Sequence, residues 1–239
     1  MEQANILKEN NVLVTGASRG IGFAIARRLG KMGARVAICA RNSDDLKNAE
    51  SRLRAEGTEV FSRAADITHG DQIAVLVDKT QQALGSIDIL VNNAGIGIFG
   101  ALQERSEQDW DSVINTNLKS VFLVSRLVIP EMIRKKSGYI INISSLAGKS
   151  TFAGGGIYCA SKWGLLGLTG CMAEDLRSHG IRVSAICPGS VATEFSSHAG
   201  KDASKMLHPE DVAHAVAALV SQAPGSFISE VLMRPTQKP

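Results

Sequence analysis

Tyr158 and Lys162 stand four positions apart in GIYCASKW (156–163), with small residues between them. On a helix, positions i and i+4 leave the same face one turn apart. A phenol and an ammonium would then stand side by side on a stretch that otherwise reads as packed core. Burying an ammonium is costly unless its charge is used. The use open to it is electrostatic, because a neighbouring cation favours the phenolate. Bringing a tyrosine from its ordinary pKa of ~10 to near neutrality takes roughly 4 kcal/mol. A positioned acid of that kind is worth ~10²–10⁴ in rate.

A second candidate site lies near the N-terminus. In VTGASRGIG (14–22), Gly16, Gly20 and Gly22 follow an apolar run and open a helical pattern, with Ser18, Arg19 and Ile21 between them. Glycines at such a turn admit close backbone approach of a pyrophosphate, which then sits on the helix N-terminus. A carboxylate at the end of the next strand, about 20 residues on, would bind the ribose hydroxyls of NAD. The chain instead has AICARN, with Ala40, Arg41 and no acid until Asp44. Arg41 and Arg19 are both placed to pair with a 2′-phosphate, which a guanidinium bonds bidentately. The expected cofactor is NADP, in its reduced form NADPH.

Positioning these groups requires a regular frame, and the chain has one. Apolar runs at 11–16, 34–40, 59–66, 87–95, 138–145, 181–189 and 229–235 read as strands. A helical pattern follows the glycine loop, and others cover 43–56, about 70–84, about 107–136, about 157–179 and 208–221. The strand runs do not alternate in polarity, which implies burial on both faces of a mostly parallel sheet. Strands separated by helices build right-handed βαβ units. A single doubly wound α/β domain of about seven strands is expected over 1–239, with helices on both faces.

The 239 residues are 44% apolar and 21% charged, with a net charge of +3. That balance, and basic residues scattered along the chain, argue against nucleic acid as a partner. No run approaches the ~18 apolar residues of a membrane span, and the polar N-terminus shows no hydrophobic signal region. Cys39, Cys159, Cys171 and Cys187 lack metal-type pair spacing, so no metal is expected. Free thiols suit the cytoplasm.

The ordered motifs TGASRGIG (15–22), NNAG (92–95), NTNL (115–118), ISSLAG (143–148), YCASK (158–162) and PGSVAT (188–193) resemble those of the short-chain dehydrogenase/reductase family. The likeness runs from about residue 10 to the C-terminus and implies a Rossmann-type fold. It implies that Tyr158 is the acid in carbonyl reduction and that Lys162 lowers its pKa and holds the nicotinamide ribose. Ser145, rather than its neighbour Ser144, would bond the substrate oxygen, and Asn117 would anchor a water and lysine proton relay. Asp66 and Ile67 match the pair that contacts adenine, and Asn93 lies along the adenosine side. Val191 matches the carboxamide-binding backbone after Pro188 and Gly189, with Thr193 nearby.

By motif wording the chain is similar to 3-oxoacyl-acyl-carrier-protein reductases, which implies a 3-oxoacyl thioester as substrate. The ending SEVLMRPTQKP is closer to members acting on short hydroxy acids, sugars or other secondary alcohols. Residues 190–208 are expected to form a lid, with Phe195, Met206, Leu207 and Phe152 lining an apolar pocket. The resemblance also implies a homotetramer or homodimer through the helices at 107–134 and 157–178. A catalytically silent dinucleotide sensor and a scaffold subunit are the non-enzyme alternatives.

Overall fold

The computed structural model describes residues 5–195, 202–223 and 225–238. Its strands are β1 (Asn11–Thr15), β2 (Arg35–Ala40), β3 (Val60–Ala64), β4 (Ile89–Asn92), β5 (Gly138–Ile143), β6 (Ile181–Pro188) and β7 (Glu230–Met233). They form one seven-stranded sheet in the order β3-β2-β1-β4-β5-β6-β7. All adjacent pairs are parallel. The helices are α1 (Gly20–Lys31), α2 (Ser43–Ala55), α3 (Gly70–Leu84), α4 (Glu107–Ile114), α5 (Ser120–Lys135), α6 (Gly156–Arg177) and α7 (Pro209–Val220).

Side chains along a strand alternate between faces, and here both faces are buried. Val12, Val14 and Ile141 point into one layer with Ile25 and Leu29 of α1 and Val212 and Val216 of α7. Leu13 and Ile140 point into the other, against Leu76 of α3, Val128 of α5 and Met172 of α6. This is why the strand runs read as continuously apolar. Strand order reverses between β1 and β4, where a doubly wound sheet opens a crevice at its C-terminal edge.

Two elements depart from the sequence reading. The helix expected over about 107–136 is broken by a π-helical turn at Asn115–Lys119, where the backbone bonds shift from i→i+4 to i→i+5. The strand expected over 87–95 stops at Asn92. Beyond it, the amides of Asn93 and Ala94 donate to the Thr15 hydroxyl, each at 3.1 Å, instead of to a neighbouring strand.

Those bonds clamp the β4 end against the glycine loop. Gly16 adopts φ +65°, and a Cβ there would lie 2.7 Å from the Ala94 Cα. Gly22 faces the same junction: a Cβ would lie 2.3 Å from the Gly16 carbonyl oxygen and 2.4 Å from the Asn93 side-chain nitrogen. One contact is rigid backbone, so the loop must shift to admit a methyl group. Gly22→Ala is therefore expected to lower stability by about 1–3 kcal/mol. The check is the urea midpoint at unchanged m-value.

Candidate active site

A cleft of about 1620 Å³ runs along the C-terminal edge of the sheet. At its chemical end, β5 delivers Ser145, whose hydroxyl accepts a 3.1 Å bond from the Ala147 amide. The first turns of α6 deliver Tyr158 and Lys162, both buried. The Ser145 hydroxyl lies beside the Tyr158 side chain. The Lys162 ammonium donates to the Ile143 carbonyl at 3.0 Å and lies 5.8 Å from the centre of the Tyr158 ring. Ser144 also lines the cleft, and its hydroxyl donates a long 3.4 Å bond to the Lys162 carbonyl.

Asn117 sits in the π turn and is 1% exposed. Its Oδ1 accepts from the Ile96 amide at 2.8 Å, and its Nδ2 donates to the Ile96 carbonyl at 2.9 Å and the Ser161 hydroxyl at 3.1 Å. The Gly95 Cα separates this carboxamide from the lysine: a Cβ there would lie 3.2 Å from Asn117 Oδ1 and 3.7 Å from Lys162 Nζ. The four residues joined by the motif spacing thus converge in space.

Burial dominates the titration of both α6 groups. It pushes the Tyr158 phenol up to about 12, against the opposing influence of the Ser145 hydroxyl. It pushes the Lys162 ammonium down to about 8, with the nearby Cys187 opposing. Loss of water is the largest influence on the phenol within the chain itself. The phenol is held as a proton donor.

The other end of the cleft has donors for an anion. Arg19 precedes α1 in extended conformation, and no side chain caps the helix N-terminus. By contrast, the Asn42 side chain caps α2. Uncapped N–H groups at a helix start favour a phosphate. Gly16, Ser18, Gly20 and Ile21 line this part of the cleft, while Gly22 is buried behind the loop. Arg41 is exposed at the rim, and its charge helps hold the Asp66 carboxyl below its usual range, after the Thr68 hydrogen bonds. Ile67 lines the wall beside Asp66. Asn93 is also at the wall, but its side chain donates to the Thr15 and Gly16 carbonyls, each at 3.0 Å.

After β6, Pro188, Gly189, Val191 and Thr193 continue the lining. Of the expected lid, residues 196–201 lie outside the described residues. Met206 and Leu207 line a smaller neighbouring cavity rather than the cleft, whereas Phe195 and Phe152 face it.

Three contributions escaped the sequence reading. Glu194 pairs with Arg19 at 2.5 Å, so one of the two expected phosphate ligands already has a carboxylate partner. Phe99 places its ring edge-on to Tyr158 at 5.4 Å. The tail from Arg234 to Lys238 forms part of the wall. A single aromatic in the glycine-rich GIGIFG was the only signal for Phe99, and none marked the long-range ion pair. Among the described residues no cluster of His, Cys, Asp or Glu could hold a metal.

Comparison with known proteins places the geometry. A family model described as short chain dehydrogenase matches residues 10–204. The 3-oxoacyl-[acyl-carrier-protein] reductase FabG of Staphylococcus epidermidis is 38% identical over 222 residues, covering 88% of this chain and 91% of its own length. The granaticin polyketide synthase putative ketoacyl reductase 1 of Streptomyces violaceoruber is 45% identical over 186 residues, 77% of this chain and 68% of its own. A crystal structure of a metagenomic short-chain oxidoreductase in complex with NADP superimposes with a TM-score of 0.88 at 47% identity, covering 98% of this chain and 100% of that one.

The lysine titration gives a sign that can be measured. Between about 8 and the ordinary 10.5, the unfolded chain keeps the Lys162 proton that the folded chain has released. Stability from this group therefore rises with pH across that window, and the burden is complete below it. Relative to Lys162→Met, the wild type should gain on the order of 2 kcal/mol between pH 7 and 9.5. Paired urea titrations at several pH values read it; a flat difference would mean the ammonium is well solvated.

Proposed function

The chain belongs to the short chain dehydrogenase family, and on that premise we propose that it reduces a carbonyl compound to an alcohol with NADPH. The observation that carries the reading is the grouping of Ser145 with the buried Tyr158 and Lys162 at one end of a cleft whose other end is an uncapped helix N-terminus. The residues present fit the dinucleotide. The glycine loop and α1 would hold the pyrophosphate, Asp66 and Ile67 the adenine side, and the 188–193 backbone the carboxamide. Arg41 would take the 2′-phosphate, joined by Arg19 when it exchanges Glu194 for the phosphate.

When bound, NADPH supplies the hydride. The chain supplies the rest. The Ser145 hydroxyl bonds the substrate oxygen, and Tyr158 donates its proton as charge develops there. Lys162 holds the nicotinamide ribose and stabilises the phenolate left behind. Asn117 steadies the path by which a proton returns.

The first substrate class is a 3-oxoacyl thioester, supported by the likeness to the FabG relative and the ketoacyl reductase. A short hydroxy acid is the second reading, favoured by Arg234 and Lys238 in the cleft wall, whose charges would suit a carboxylate. Assembly as a homotetramer or homodimer is supported by Trp110, Phe122 and Trp163, which are 46%, 47% and 51% exposed on α4, α5 and α6. The free cysteines, of which Cys39, Cys159 and Cys187 are buried, are in keeping with the cytoplasm.

NADPH is expected to outperform NADH in a carbonyl assay, and Arg41→Ala should raise the NADPH KM roughly 10–100-fold with less effect on NADH. Tyr158→Phe should abolish turnover while still binding NADPH. With the phenol protonated up to about 12, reduction should be flat through neutral pH. Alcohol oxidation, which needs the phenolate, should rise about tenfold per pH unit. Tight NADPH binding with no turnover on any carbonyl would instead favour a sensor. Light scattering of Trp163→Glu should show a smaller particle than the wild type.

A further inference from the structure

Three phenylalanines surround the reactive phenol. Phe99 meets Tyr158 edge-on with ring centres 5.4 Å apart, and Phe195 meets it tilted at 5.8 Å. Phe152 extends the group, 6.0 Å from Phe99. All three line the cleft and are 38%, 50% and 42% exposed for Phe99, Phe152 and Phe195. Half-exposed rings gathered in one place are unfavourable in water unless something covers them.

The rings are seated on glycines. A Cβ at Gly97 would lie 2.6 Å from Phe99 and 3.0 Å from Phe195, so only a bare backbone lets both rings come down over this position. A Cβ at Gly155 would lie 2.7 Å from Phe152. The Gly100 amide donates to the Gly154 carbonyl at 2.9 Å, clipping the loop of Phe99 to the loop of Phe152. The loop after β4, the approach to α6 and the segment after β6 each bring one ring. The backbone clip holds the two loops together, and the glycines leave room for the rings above them.

We propose that Phe99, Phe152 and Phe195 form an aromatic clamp selecting carbonyl compounds that carry a planar aromatic group next to the reacting carbon. This rests on carbonyl reduction at Tyr158 and narrows its substrate class. Aliphatic groups would gain only the area they bury. An aromatic group gains in addition from edge-to-face and offset contacts with rings whose edges and faces are already presented at mixed angles. A ring bonded to the carbonyl carbon is held within reach of all three while the carbonyl oxygen points to Ser145 and Tyr158.

The test uses two matched esters, ethyl 3-oxo-3-phenylpropanoate and ethyl 3-cyclohexyl-3-oxopropanoate, with NADPH. Comparing the ratio of their kcat/KM values between proteins cancels their different intrinsic reactivity. The combined Phe99→Leu, Phe152→Leu, Phe195→Leu variant keeps apolar bulk and removes the rings. It should lose about tenfold in the phenyl-to-cyclohexyl ratio. Phe152→Leu alone, at the most exposed of the three positions, should lose about two- to threefold and guards against misfolding of the triple variant. An unchanged ratio in both variants would overturn the clamp. Calorimetric titration of both esters into the complex with oxidised NADP, which has no hydride to deliver, reads the preference separately from chemistry. Ring-dependent preference in binding without reduction would keep the clamp and refute the reductase reading. Equal binding of the two esters by the wild type would refute the clamp.

Discussion

Everything at the chemical end of the cleft is arranged around one buried cation. The Lys162 ammonium has lost nearly all its water and is held by the carbonyl of Ile143, the last residue of β5. That carbonyl can reach it because α6 crosses tightly over the chain leaving the strand. Gly148 allows the crossing, since a Cβ there would lie 2.9 Å from the Lys162 carbonyl. A buried charge with so few partners is unfavourable on its own. Its retention makes sense where an anion forms beside it, and the adjacent phenol is the group able to become one. Burial acts on both members in the sense of neutrality, which sets a protonated acid next to a cation that is close to giving up its proton.

A buried polar ladder keeps that end in register. Asn92 at the end of β4 donates to Asn142 on β5 at 2.9 Å, and Asn142 donates to the Thr169 hydroxyl on α6 at 2.9 Å. A chain of satisfied side-chain bonds through an apolar interior has one good arrangement and many poor ones, so it specifies how strand and helix meet. The Thr15–Asn93 contacts do the same between β1 and β4, at the point where strand order reverses. The nucleotide end is built differently. Its groups are backbone amides and exposed guanidinium side chains, of which Arg19 is paired with Glu194 across the cleft.

Much of this was legible in the sequence because it is periodic or local. Double-sided burial gave runs such as VLV and IINI their unbroken apolar character, and the i, i+4 spacing placed Tyr158 and Lys162 on one face. The Arg41 reading likewise needed only the end of β2. What was not legible depends on contacts between distant segments. The Arg19–Glu194 pair joins residues on two loops far apart in sequence, and Phe99 becomes meaningful only when β4 delivers it over Tyr158. The π turn is also silent in a hydrophobic pattern, since one extra residue in a helix barely disturbs an average period. The depth at which Tyr158 and Lys162 sit is a third matter: composition shows the cation but not how little water surrounds the pair.

The π turn also acts as a phase shifter for the outside of the protein. In an uninterrupted helix the twelve steps from Trp110 to Phe122 would leave their side chains roughly 120° apart; one residue absorbed by the wider turn reduces this to roughly 20°. The two exposed aromatics thereby share a face of the α4–α5 rod. The same backbone irregularity that carries Asn117 into the interior sets the azimuth of the outer surface. A single-residue deletion between 115 and 119 would remove the wider turn and leave eleven regular steps, still roughly 20°, so it would disturb the seat of Asn117 while the outer face kept its azimuth.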